Sequence, residues 1–104
     1  MPKQDMQACI DACIACAKEC DACAKNCMGS NPGCANVCID CARICWDCAS
    51  SCCRESGCAG EFCKACADIC ERCAAECEKC GGEQCKRCAE ACRRCAEACR
   101  QMAA

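Results

Sequence analysis

The chain has 104 residues, of which 25 are cysteine and 20 alanine, and it has no leucine, tyrosine or histidine. Its net charge of −2 gives no electrostatic case for nucleic acid or an anionic membrane as a partner. No run reaches the roughly 18 apolar residues of a membrane span, and MPKQDMQACI lacks the basic and apolar regions of a secretory leader, so a cytoplasmic protein is expected.

Four helices are expected, in chain order. The first lies near residues 4–27 and carries Cys9, Cys13, Cys16, Cys20, Cys23 and Cys27, separated by 4, 3, 4, 3 and 4 residues. Gly29-Ser30-Asn31-Pro32-Gly33 breaks it, because Gly ends helices while Asn and Pro start them. The second lies near 34–53, with Cys34, Cys38, Cys41, Cys45, Cys48 and Cys52 in the same rhythm. A second break is expected from Ser50 to Gly60, around Ser56-Gly57. The third helix, near 61–80, carries Cys63, Cys66, Cys70, Cys73, Cys77 and Cys80. After Gly81-Gly82 the fourth, near 83–101, carries Cys85, Cys88, Cys92, Cys95 and Cys99.

Steps of three and four make the a/d seam of a helical bundle, with cysteine where leucine normally sits. Short links favour antiparallel neighbours. The expected fold is therefore all-α: one domain over 1–104, an antiparallel up-down-up-down four-helix bundle with a Cys-lined core. Ala17, Ala24, Ala42, Ala49, Ala67, Ala74, Ala89 and Ala96 fall at e positions, where small side chains let helices approach closely. Asp11, Lys18, Lys25, Arg43, Asp68, Glu90 and Glu97 fall at f, the solvated face. Only five Ile, one Val, one Phe, one Trp and four Met remain for ordinary packing. A core this thin needs disulfides or metal to hold it.

Antiparallel threading stacks the seam in levels. Cys9, Cys52, Cys63 and Cys99 share the first, followed by Cys13, Cys48, Cys66 and Cys95. Cys16, Cys45, Cys70 and Cys92 come next, then Cys20, Cys41, Cys73 and Cys88, then Cys23, Cys38, Cys77 and Cys85. Cys27, Cys34 and Cys80 close the stack, while Cys53 and Cys58 lie outside the register near the second loop. In a cytosolic chain such thiols read as metal ligands rather than disulfides.

Soft thiolate selects Cu(I), with Zn and Fe–S centres as competitors. The ferredoxin cysteine run is absent. Buried thiolates must have their charge cancelled. Cu(I) bridged at one ion per thiolate leaves the core neutral. Four thiolates per zinc would bring about six ions for the 25 sulfurs and leave roughly thirteen negative charges. Thiolates shared between zinc ions would soften that imbalance. The expected function is reversible storage of many Cu(I) ions. A Zn- or Cd-sequestering protein and a disulfide-stapled structural protein are the alternatives. No histidine is present to activate a thiol and no cysteine stands apart from its neighbours, so no enzyme is expected.

Cys9-Ile-Asp-Ala-Cys13-Ile-Ala-Cys16, Cys41-Ala-Arg-Ile-Cys45-Trp-Asp-Cys48 and Cys88-Ala-Glu-Ala-Cys92-Arg-Arg-Cys95 repeat one motif of paired cysteine steps. Over roughly residues 6–102 the chain resembles the bacterial copper storage proteins, Cys-lined four-helix bundles. The resemblance implies reversible storage of many Cu(I) ions along the bundle axis, in the manner of the cytosolic branch. A copper chaperone or acceptor protein is a further expected partner. Cytosolic members often carry His near the mouth of the bundle, and this chain has none.

Met6 lies three residues before Cys9 and Met102 three after Cys99, so both continue the seam at one end. A thioether is a weak soft ligand suited to an entrance. Metal is therefore expected to enter at that end, beside Cys53 and Cys58. Met28 is expected to cap the first loop at the other end. Ile39, Trp46 and Cys53 fall at b positions, and an outward Trp46 suggests a homo-oligomer contact unless it folds across a neighbouring helix.

Overall fold

A computed structural model describes the backbone of residues 3–103; Met1, Pro2 and Ala104 of the expected domain lie outside the described residues. Four helices follow one another: α1 (Lys3–Cys27), α2 (Pro32–Cys53), α3 (Ala59–Cys80) and α4 (Glu83–Ala103). Each packs against its neighbours in sequence, and α1 also packs against α4, which closes the bundle. The bundle is 41 Å long and 17 Å across. The fold is the Cys-lined antiparallel bundle expected from the seam.

Local chemistry sets the helix ends. Asn31 caps α2, its Oδ1 accepting from the backbone N–H of Cys34 at 3.1 Å, and Pro32 occupies the first turn, where its missing N–H costs nothing. Helix α3 stops at Gly81, whose φ of 78° is the left-handed conformation that glycine adopts without strain.

The second break is shorter than expected. Ser50 and Ser51 belong to α2 and Gly60 to α3, so the connection is only residues 54–58. Seam burial explains this: Cys52 and Cys63 are fully buried, which rewards helix on both sides of the turn. The turn is held by backbone N–H groups of Glu55 and Ser56 donating to the carbonyls of Cys52 and Ser51. Ser51 is itself fully buried, and its hydroxyl has no hydrogen-bond partner among the described residues.

All eight e-position alanines are buried and all seven named f-position charges are exposed. Apart from Cys and Ala, the buried apolar residues are Ile10 and Met102. Trp46 is 41% exposed, and its indole N–H donates to Asp21 Oδ2 on α1 at 3.3 Å. Met28 is exposed.

Candidate metal centre

Every turn of each helix sends a cysteine to the bundle axis, because steps of three and four keep the sulfurs on one stripe. Twenty-two of the 25 cysteines are buried, Cys80 is half-buried, and Cys53 and Cys58 are exposed. All 25 are free thiols.

Sulfur contacts run unbroken along the axis. Cys52 touches Cys63 at 3.7 Å, Cys63 touches Cys9 at 3.9 Å, and Cys9 touches Cys99 at 3.7 Å. From Cys99 the chain of contacts passes through Cys95, Cys45 and Cys70 to Cys16, with spacings of 3.7–4.0 Å. It continues through Cys20, Cys73, Cys77, Cys23 and Cys85 to Cys27. The remaining buried cysteines branch from this line: Cys13, Cys34, Cys38, Cys41, Cys48, Cys66, Cys88 and Cys92. The buried thiols thus form a single connected network.

The expected levels are not flat. Cys48 on α2 sits 3.6 Å from Cys63, one level below it, and Cys41 is 3.6 Å from Cys70 in the same way. Cys13 lies 3.7 Å from Cys99, again across levels. Side chains of adjacent helices interdigitate as knobs in holes, which staggers facing sulfurs. Ligand-like quartets therefore mix levels. Cys9, Cys13, Cys48 and Cys99 have sulfurs mutually within 4.8 Å, and so do Cys9, Cys48, Cys52 and Cys63. Cys13, Cys66, Cys95 and Cys99 form another quartet, as do Cys16, Cys45, Cys70 and Cys95, and Cys16, Cys20, Cys41 and Cys92. Cys9, Cys13, Cys16, Cys48, Cys95 and Cys99 each belong to two of these quartets. Occupying one quartet tetrahedrally would remove ligands from the next.

The thiols outside the axis differ. No sulfur contact within 4.0 Å joins Cys53 or Cys58 to the network: Cys53 ends α2 and Cys58 precedes α3. Met102 is buried against the core and Met6 half-buried against it, so the structure brings both to the Cys9–Cys99 end. At the opposite end Cys80 accepts a hydrogen bond from Asn31 Nδ2 at 3.1 Å and donates to the Glu76 carbonyl. From the sequence Asn31 is only a helix start. Nothing in its spacing reveals that its amide reaches a cysteine 49 residues away on α3.

Burial pushes thiol proton affinities up. It raises Cys85 to about 11 and Cys52 to about 12, and it also raises Cys23, Cys34 and Cys63. Deeper in, the Cys16–Cys20 contact pushes Cys16 down and Cys20 up, one proton serving both sulfurs. A thiol whose folded value is raised binds its proton more tightly in the folded state. Its stabilisation is complete below the unfolded value of about 9 and is lost as pH rises through the folded value. Under anaerobic, reducing conditions the metal-free bundle should lose a few kcal/mol between about pH 9 and 12, read by urea unfolding. A flat profile over that range would contradict burial of these thiols.

The family model for copper storage protein matches residues 2–104. Apo copper storage protein 3 from Bacillus subtilis is 44% identical, with a TM-score of 0.90 over 94% of this chain and 98% of that one. The Cu(I)-bound BsCsp3 structure is 41% identical, with a TM-score of 0.91 over 96% and 99%. A cytosolic copper storage protein from Streptomyces lividans, with five coppers, is 33% identical, with a TM-score of 0.90 over 96% and 92%. No curated relative matches the chain. A bundle whose whole seam is thiol, a match over nearly its full length and these structural neighbours agree: the chain belongs to the copper storage protein family.

Proposed function

We infer that this chain stores many Cu(I) ions reversibly on its axial thiolates, as a non-catalytic protein of copper homeostasis. The sharing of sulfurs between adjacent quartets carries this reading. A metal that needs four thiolates to itself is poorly served by a lattice in which neighbouring candidate sites share sulfurs. Cu(I), which accepts two or three soft ligands and tolerates bridging thiolates, fits the lattice. Charge points the same way, since one ion per bridging thiolate leaves the dry core neutral.

The relatives described as Cu(I)-bound or loaded with copper support the same cargo. The chain acts as one domain, and the storage ligands are the 23 seam cysteines. Cys53, Cys58, Met6 and Met102 are auxiliary sulfur ligands at the Cys9–Cys99 end. A cytoplasmic site of action fits reduced thiols and a relative described as cytosolic. No helix among the described residues is long and apolar enough to cross a membrane. Delivery and withdrawal fall to a copper chaperone or acceptor protein.

A competition experiment tests the cargo. Metal-free protein is offered equal amounts of Cu(I) and Zn(II) anaerobically, then desalted and assayed for metal. Copper should be retained in large excess over zinc. Retention of zinc with copper left behind would identify a zinc sink instead.

A further inference from the structure

One polar side chain in the core has nothing to bond in the metal-free bundle. Helix α2 carries a stripe of residues seven apart: Val37, Ile44 and Ser51. Val37 and Ile44 are half-buried and line a groove between α2 and α3, opposite Ile69 and Arg72. The stripe therefore faces α3. Ser51, its polar member, is the most buried of the three at 0% exposure. Its hydroxyl has no hydrogen-bond partner among the described residues. A buried hydroxyl left unpaired is destabilising, and such a group needs an explanation in ligand binding or strain.

The surroundings of Ser51 are metal ligands. On its own helix it follows Cys48 by three residues and precedes Cys52 by one. Cys63 of α3 contacts both of those cysteines, at 3.6 Å and 3.7 Å. Cys63 thus meets the turn of α2 that carries Ser51, on the side toward which Ser51 faces. With Cys9 these three sulfurs form a quartet at the Cys9–Cys99 end of the axis. A thiolate in the middle of the axis can share its charge with ions on both sides. One in this end quartet has ions on one side only.

We propose that Ser51 is a positioning residue for copper: its hydroxyl donates to the Cys63 thiolate when Cu(I) is bound and has no partner when the metal is absent. This rests on the Cu(I) storage reading. The partner arrives with the metal because thiol and thiolate differ as acceptors. A thiol accepts weakly, whereas an ionised acceptor makes a short, strong hydrogen bond. As copper binds, the Cys63 proton leaves to solvent, its Sγ bonds the ion, and copper remains Cu(I) throughout. The new bond lies in a dry site, which strengthens it. It holds the sulfur in place and offsets charge that no further ion neutralises.

The test measures the loaded and metal-free states separately, in reduced, anaerobic protein. Equilibrium competition with bathocuproine disulfonate shows how tightly Cu(I) is held, and urea unfolding reports the metal-free fold. In Ser51→Ala about one or two ions per chain should be held at least about threefold less tightly, with total capacity unchanged. The metal-free variant should be as stable as wild type or more so, because it lacks the unpaired hydroxyl. A loss confined to the loaded state is what a purely structural role would not produce. In a Cys63→Ala background, Ser51→Ala should weaken copper binding no further. Wild-type retention of copper by Ser51→Ala would overturn the inference. So would weaker retention matched by an equal loss of metal-free stability, since the hydroxyl would then serve the fold. An undiminished effect of Ser51→Ala in the Cys63→Ala background would overturn it as well. A wild-type protein that takes up six or fewer ions would instead overturn the storage reading itself.

Discussion

Loading with Cu(I) should raise the melting temperature of the metal-free bundle by more than about 20 °C, because each ion bound only by the folded state stabilises it through mass action. The metal-free core has little else to hold it. Among the described residues its buried side chains are thiols and alanines, supplemented by Ile10, Met102 and Ser51. A cysteine side chain buries less apolar area than the leucine that normally fills a seam position, so packing contributes less at each layer. The exposed ion pairs, Arg100 with Asp68 and Glu71 and Arg93 with Glu78, add little in water.

Each occupied site at a hundredfold excess of free metal over its dissociation constant adds about 2.7 kcal/mol. One kcal/mol moves the midpoint of a domain this size by about 4–8 °C. A few ions therefore suffice for the expected shift. Circular dichroism melts of metal-free and loaded protein, both anaerobic, measure it. Coincident melts would mean that the core is held by something other than metal, most simply by disulfides.

Much of this architecture is legible in the residues themselves. The spacing of Cys9 through Cys27 determines which face of α1 points inward, and the same holds on the other three helices. Gly81 and Asn31 mark helix ends for stereochemical reasons that do not depend on the rest of the fold. Periodicity gives the angular position of a side chain but not the axial offset between neighbouring helices. That offset depends on turn length and on how knobs settle into holes. For this reason Cys48 meets Cys63 across a level.

The same limit hid the shape of the two ends. The second helix ends at Cys53 as its expected range has it, while Gly60, which favours a turn, belongs to α3, where burial of Cys63 rewards helix. Met6 and Met102 both reach the Cys9–Cys99 end, where the seam sulfurs beneath them are fully buried. The half-exposed Cys80 and its bond to Asn31 arise only when the first and third turns are brought together. The spacing that places Trp46 at a b position does not reveal that its indole N–H meets Asp21 on α1.

Sharing of thiolates between ions is tested most directly by the ratio of copper to cysteine. Reduced, metal-free protein is titrated anaerobically with Cu(I) against a competing chelator, and the thiolate-to-copper absorbance is followed to its end point. Bridging and charge balance require saturation near one ion per axial cysteine, on the order of twenty ions. Saturation at six or fewer ions, with the buried thiols no longer reactive, would mean separate four-thiolate sites and would contradict a shared lattice.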